Sequence, residues 1–364
     1  MKRSAVLGII LCFVCLNSFG QYYNIKGKVF SASSGQPLGK ASVFAQNTTL
    51  GTLTDEEGEF TLSLPNGGYD LTVSYSGFET IIKRVSTADA GNVMSFVLNP
   101  KQENLDDVVI VASNKVRDGL EKYGQFFRNN FLGQTKNSLE SKILNDSILQ
   151  FYYYKKTNKL KVISPEPLII ENHALGYNIS YALDSFVHEY DKELSIYTGN
   201  PLFSNMITED SVQYAAWDAA RNSAYQGSIL HFMRSMYNKE AGKNGFEMQT
   251  IVEMNAEEKS IPVKNIYNAL HYVKDDSLAL VEIYPNLPRV GILYKNAKPS
   301  TLYSANHPGE PKAFRFSVIQ FMPDKRITIE ENGYYHDQEN ILTSGYWGWE
   351  KVSDLLPYDF IPKN

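Results

Sequence analysis

Six histidines are the first residues to weigh for chemistry in this 364-residue chain: His173, His188, His231, His271, His307 and His336. None sits in His-Glu-x-x-His spacing, which would put two zinc ligands on one helix face. His307-Pro308-Gly309-Glu310 has the His-x-x-Glu spacing of another kind of zinc pair, with His336 as a third ligand. Pro308, Gly309 and Pro311 make a solvated loop the simpler reading of that stretch. Ser228 and His231 stand about one helical turn apart, but no third group is evident to orient the imidazole as a base. No Gly-x-Ser-x-Gly elbow occurs. Arg221, Tyr225, His231 and Arg234 can form a polar stripe across two helices. Such a stripe can grip an anion, because Arg offers bidentate contacts, or it can tie the helices to a sheet. Tyr346-Trp347-Gly348-Trp349 can present stacking faces to a sugar or a partner protein, although strands enrich tyrosine in any case. We assign no catalytic, cofactor-binding or metal-binding residue and expect no cofactor.

The elements that must position these groups begin after an export leader. Lys2 and Arg3 are a basic start, Ala5 to Leu16 are almost wholly apolar, and Ser18-Phe19-Gly20 places small residues where a signal peptidase inspects. A membrane anchor is disfavoured because the apolar run is short and ends at Asn17 and Ser18. Lipidation at Cys15 is the other alternative, with Val14 a poor preceding residue. Cys12 and Cys15 are the only cysteines, so loss of residues 1–20 leaves neither disulfide nor thiolate. The loss of Lys2 and Arg3 also makes the chain more acidic than its formal charge of −5. That balance, with no run of Lys and Arg, argues against nucleic acid as a partner. The expected location is the periplasm or cell surface, with no transmembrane span after the leader.

Short alternating runs come next. Ile25, Gly27 and Val29 lead to Ala41–Ala45. Asp55-Glu56-Glu57-Gly58 is a turn in which Asp55 can accept from backbone two residues on and Gly58 tolerates positive φ. Phe60, Leu62 and Leu64 then alternate with Thr61 and Ser63. Pro65-Asn66-Gly67-Gly68 is the next turn, before Tyr69, Leu71, Val73 and Tyr75. Turns every 8 to 12 residues point to a β-sandwich. The ordered run Gly27-Lys28-Val29, Gly35-Gln36-Pro37-Leu38-Gly39-Lys40-Ala41-Ser42-Val43, Gly51-Thr52, Thr54-Asp55, Gly58-Glu59-Phe60, Gly68-Tyr69 and Tyr75-Ser76-Gly77-Phe78 resembles the carboxypeptidase-regulatory-like domain of exported Bacteroidetes proteins. The resemblance spans residues 24–99. It implies a transthyretin-like sandwich of about seven strands that acts as an accessory module and cleaves no peptide.

Past Pro100, Leu105-Asp106-Asp107-Val108-Val109-Ile110-Val111-Ala112 resembles the segment that joins this sandwich to the plug of TonB-dependent receptors. The residues beyond Ala112 are not plug-like and are too few for a plug and a large barrel together. Residues 115–131 read as a helix, with Val116, Leu120, Tyr123, Phe127 and Phe131 at helical spacing despite Gly119 and Gly124. Residues 148–203 read as strands. They include a hairpin around Lys156-Thr157-Asn158 and a pairing across Tyr190-Asp191-Lys192. Helices are expected at 210–238, capped by Asp210 or Ser211 and broken at Gly227. Strands are expected at 278–284, 290–294, 314–321 and 326–330, and a short helix near 349–356. Phe131-Leu132-Gly133, Glu166-Pro167-Leu168-Ile169-Ile170-Glu171-Asn172, Leu175-Gly176-Tyr177 and Arg221–Ser228 with His231–Ser235 resemble the uncharacterised region found after this sandwich in many Bacteroidetes exported proteins. That region brings no known activity. Asp146-Ser147-Ile148, Asp210-Ser211-Val212 and Asp276-Ser277-Leu278 resemble the short O-glycosylation acceptor of such proteins.

The expected class is α+β, an all-β sandwich followed by a mixed α+β domain. The expected parts are a leader (1–20), the sandwich (21–100), a linker or strand (101–113) and the second domain (114–364). The expected role is non-catalytic binding or assembly at the cell envelope, with a protein or glycan partner. The alternatives are an envelope hydrolase with its site in 114–364 and an accessory of TonB-dependent uptake.

Overall fold

The computed structural model describes residues 22–75, 78–100, 114–254, 257–285, 288–336 and 338–363. The leader and the Leu105–Ala112 segment lie outside the described residues. The sandwich has seven strands: β1 (Tyr22–Ser31), β2 (Ser42–Ala45), β3 (Gly51–Leu53), β4 (Glu59–Pro65), β5 (Tyr69–Ser74), β6 (Ile81–Val85) and β7 (Val93–Leu98). One sheet runs β4-β1-β7 and the other β3-β2-β5-β6. Register follows the alternation in sequence, with Ile25 opposite Leu62 and Tyr23 opposite Leu64. Phe60, Leu62 and Leu64 face the core while Thr61 and Ser63 face water. At the turn, Asp55 Oδ1 accepts from the amides of Glu57 (3.1 Å) and Glu59 (2.7 Å). Gly58 has φ +75°, and a Cβ there would stand 2.7 Å from the Val29 carbonyl oxygen. Glycine is thus required both by conformation and by space.

A second core forms around helix α1 (Gly119–Phe131) and a six-stranded sheet of β8 (Ser141–Ile143), β9 (Gln150–Tyr154), β10 (Lys159–Ile163), β11 (Leu168–Asn172), β12 (Tyr177–Glu189) and β13 (Leu194–Asn205). The long β12 pairs with β13 along one side and with β11 and then β10 along the other. Phe127 and Phe131 of α1 are fully buried and meet Phe186 and Tyr181 edge-on at 5.2 and 5.0 Å. The helix begins later than its hydrophobic spacing predicts. Val116 instead donates its amide to the Phe151 carbonyl (2.9 Å), so the chain is held to the sheet before α1 starts. Gly119 allows this, since a Cβ would stand 2.5 Å from that of Phe151.

Helices α2 (Ser211–Tyr225) and α3 (Ile229–Tyr237) come next. Asp210 caps α2 through the Val212 amide, and Ser228 caps α3 through that of His231. The apolar face of α3 enters a third core with Phe232, Met233 and Met236 fully buried. Its strands are β14 (Phe246–Met254), β15 (Glu257–Pro262), β16 (Val273–Asp275), β17 (Leu280–Ile283), β18 (Arg289–Tyr294), β19 (Arg315–Phe321), β20 (Ile327–Glu330) and β21 (Ile341–Gly345). They form the sheets β15-β14-β18-β19-β21 and β16-β17-β20. The hairpin of β14 and β15 falls in a stretch for which the sequence predicts no strand.

Polar contacts fasten the sandwich to this body. The Glu330 carboxylate, at the end of β20, accepts from the Gly68 amide, from the Arg84 guanidinium and from His336 Nε2 at 2.7 Å. Arg84 lies over the Tyr334 ring (4.4 Å), and the Tyr334 hydroxyl donates to Asp70 (2.8 Å). On another side, the Asn47 amide donates to the Pro201 carbonyl (2.8 Å), and the Phe203 amide donates to the Thr48 carbonyl (3.0 Å). The C-terminal segment closes the join: Asp359 accepts from the Thr49 amide (2.9 Å), and the Tyr358 amide donates to the Asn47 carbonyl (2.7 Å).

Burial alone would raise the Glu330 pKa. The His336 hydrogen bond, the Arg84 charge and the Gly68 amide outweigh it and leave the carboxyl below its ordinary value. Its stabilising effect is therefore present above the unfolded glutamate pKa of about 4.3 and lost as pH falls through the lower folded value. Glu330→Ala should cost about 1–3 kcal/mol in thermal or urea unfolding near pH 7, because it leaves the Gly68 amide without its acceptor and Arg84 with Asp70 as its remaining carboxylate. The gap to the unmodified protein should shrink on acidification. A gap of under about 0.5 kcal/mol at pH 7 would show that Glu330 does not clamp the two parts.

Candidate functional site

The residues singled out by their chemistry are mostly spent on structure. Arg221 donates to the carbonyls of Leu175 (2.6 Å) and Gly176 (2.8 Å) and lies 4.0 Å over the Tyr177 ring. Arg234 donates to the carbonyls of Asn332, Tyr358 and Phe360, each at 2.9 Å. His231 is buried, stacks near Tyr225 (4.7 Å) and accepts from the Gly227 amide through Nδ1 (3.1 Å). Burial, helped by the Arg234 charge, lowers its pKa to about 4, so the ring is neutral at physiological pH. His307 bonds the Tyr303 carbonyl (3.0 Å) and stacks on the Tyr303 ring (4.2 Å), whereas His336 is held by Glu330. Among the described residues no group of three or more His, Cys, Asp or Glu is placed to hold a metal. Trp347 is a core residue whose Nε1 donates to the Gly227 carbonyl (2.7 Å). Ser147, Ser211 and Ser277 are all exposed.

A site does form one turn further along, at residues to which spacing assigned no role. Helix α4 (Tyr346–Trp349) ends on Glu350, and a 3-10 turn at Val352–Asp354 comes directly after. Glu350 and Asp354 both line a cleft of about 420 Å³ and an adjoining smaller pocket of about 110 Å³. One wall of the cleft is α2, where Ala216, Ala220, Ser223 and Ala224 recur at helical spacing and leave room that larger side chains would fill. The opposite wall is Tyr346, Trp349 and Arg315. Arg315 is held over the Tyr346 ring (4.6 Å) and donates to the Gln226 carbonyl (2.6 Å). The smaller pocket is lined by Asn47 of the sandwich, Phe203 of the second core, Trp347 of the third and Tyr358 of the C-terminal segment.

The two carboxyls differ in their surroundings. Asp354 accepts from Thr135 Oγ1 (2.9 Å), Asn137 Nδ2 (2.9 Å) and the Lys351 amide (3.2 Å). No group among the described residues donates to the Glu350 carboxyl. Burial, together with the charge of Asp354, pushes Glu350 well above the ordinary carboxylate range. Burial raises Asp354 as well, against the pull of its three donors. The pair thus holds a proton where an isolated carboxylate would not. It presents one fixed acceptor (Asp354) and one carboxyl able to donate or accept (Glu350). That arrangement can receive hydroxyl or amine groups, and it can also move a proton.

Comparison with known proteins bears on the sandwich. Residues 25–110 match the CarboxypepD_reg-like domain. Over 105 residues the chain is 30% identical to the TonB-dependent receptor SusC of Bacteroides thetaiotaomicron, a match that covers 29% of this chain and 10% of the receptor. Over 116 residues it is 26% identical to the TonB-dependent receptor P3 of Formosa agariphila, covering 32% of this chain and 11% of that one. The match thus spans about a tenth of the length of these relatives. Among solved structures, a DUF3823 family protein from Bacteroides ovatus is 12% identical, with 52% of this chain and 83% of that chain covered at a TM-score of 0.19. Catechol 1,2-dioxygenase from Acinetobacter is 14% identical, with 26% and 57% covered at 0.20. Scores that low carry no argument about fold or function. No helix among the described residues is long and apolar enough to cross a membrane.

The raised Glu350 pKa has a measurable sign. The folded form favours the protonated carboxyl, so ionisation costs stability once pH exceeds the unfolded value of about 4.3. Glu350→Gln, which keeps the shape and removes the ionisation, should raise the melting temperature by roughly 3 °C near pH 8. The gain should fade towards pH 4. A variant that melts lower at pH 8 would mean the carboxylate is paired after all.

Proposed function

We propose that this chain is an exported, non-catalytic binding protein of the cell envelope. In this reading the sandwich is an accessory module of the kind found in TonB-dependent receptors, and the body carries the ligand cleft. The observation that carries the reading is Glu350, a carboxyl with no donor among the described residues, beside Asp354 in a cleft walled by Trp349 and Tyr346. An incoming hydroxyl or amine supplies this carboxyl with a partner, and an indole face offers a sugar ring apolar contact. A glycan end or an amine-bearing peptide group fits the cleft on these grounds. The free edges of the sandwich sheets supply a second mode of attachment, strand addition by a partner protein.

One observation favours an envelope hydrolase as the second reading. Two carboxyls that burial raises above their ordinary values line one cleft, as the general acid and the nucleophile or base of glycoside hydrolysis do. A role as an accessory of TonB-dependent uptake rests on the shared sandwich.

The test is a panel of neutral oligosaccharides and short peptides, titrated against the chain by calorimetry and assayed in parallel for cleavage. A ligand whose affinity falls about tenfold in both Glu350→Gln and Trp349→Ala, without being cleaved, supports the binding reading. Turnover that vanishes in Glu350→Gln while affinity persists would replace it with the hydrolase. Ligands bound equally by both variants would remove the cleft from either account.

A further inference from the structure

The chain is acidic overall, yet its fold gathers five cations into one groove. The groove, of about 960 Å³, lies between the residues leading into α1 and the hairpin of β9 and β10. Lys115, Arg117 and Lys122 line one side and Lys155 and Lys156 the other, and among the described residues Asp118 is the only acid lining it. All five cations are exposed. None of them is in an ion pair among the described residues: Lys115 Nζ reaches Gln150 Oε1 (3.2 Å) and Lys122 lies 5.3 Å over the Tyr123 ring. Between the two rows of charge stand Tyr123, Tyr153 and Tyr154, each half-buried. Tyr123 stacks on Tyr153 at 6.2 Å, which fixes both rings.

We propose that this groove binds an acidic polysaccharide, a sugar polymer bearing carboxylates or sulfates. Unpaired like charges held close together repel, and a polyanion relieves that repulsion. Four of the five cations are lysines, point charges on flexible stems that suit anions spaced along a polymer better than one fixed bidentate anion. Tyrosine faces among the charges give sugar rings apolar contact. The groove is concave and its rings are recessed, which suits a chain lying along it. An anionic membrane would be met by a flat face with protruding aromatic and apolar side chains. This inference does not depend on the Glu350 cleft.

The experiment uses the full chain with polygalacturonate as probe, its methyl-esterified form as the neutral control, and phosphatidylglycerol vesicles and a single-stranded oligonucleotide as competing polyanions. Expected is binding to polygalacturonate that weakens as NaCl rises from about 50 to about 300 mM, with no binding to the esterified polymer. Lys155→Glu with Lys156→Glu, at the exposed hairpin tip, should lower affinity about tenfold with the melting temperature unchanged. Lys122→Glu on the opposite wall should do the same. Tyr154→Ala should weaken binding without altering its salt dependence. Affinity unchanged in both charge-reversal variants, or tighter binding to the vesicles or the oligonucleotide than to polygalacturonate, would overturn the proposal.

Discussion

The arrangement of the body against the sandwich rests on a buried carboxylate. Glu330 leaves β20 with almost no exposure and is met by an amide, a guanidinium and an imidazole from two parts of the chain. A carboxylate so enclosed is tolerable only when its lone pairs are filled. The demand runs both ways, since the Gly68 amide donates to this carboxylate and Arg84 bridges it to Asp70 of the sandwich. Glycine is needed at 68 because a Cβ there would fall within 2.7 Å of the Glu330 oxygens. One charge thus selects a residue 262 positions away by space as well as by hydrogen bonding.

The proposed ligand cleft adjoins a pocket that touches all three parts of the fold. That pocket takes a residue from each of them and one from the C-terminal segment. No single core would create it. The apolar packing supplies rigidity, the small residues of α2 supply space, and the mismatch between Glu350 and its surroundings supplies the chemistry. His231, whose pKa is lowered to about 4, is by contrast absorbed into packing and lines neither the cleft nor the pocket.

Much of the sandwich was legible because its constraints are local. Alternation of Phe60, Leu62 and Leu64 sets a face, and Asp55 and Gly58 set a turn, all within ten residues. The helices at 211–237 were legible for the same reason, through caps and spacing. The hairpin at 246–262 was not, because Gly242 and Gly245 read as breakers and the edge strand Glu257–Pro262 carries charge in place of alternating apolar residues. Edge strands are built that way to resist unwanted pairing. Glu350 was hidden by its neighbours: Tyr346-Trp347-Gly348-Trp349 pointed to stacking, and a lone acid after them carries no motif of its own. The signal available was an acidic pair, Glu350 and Asp354, flanked by tryptophan and the apolar Leu355-Leu356. The basic groove was invisible in principle, since Lys115, Arg117 and Lys122 meet Lys155 and Lys156 only through the fold.

The strap at Tyr358–Phe360 sets the order in which the molecule can be completed. It bonds Thr49 across a separation of 310 residues, and it bonds Asn47 beside it. Two of its carbonyls join that of Asn332 in the grip of Arg234. Closing so long a loop costs entropy before the contact rewards it. The sandwich, with a core of its own, can take shape as soon as its strands exist. The pocket beside Glu350 counts Tyr358 in its lining, so it is complete only once this strap has docked across the sandwich and the body.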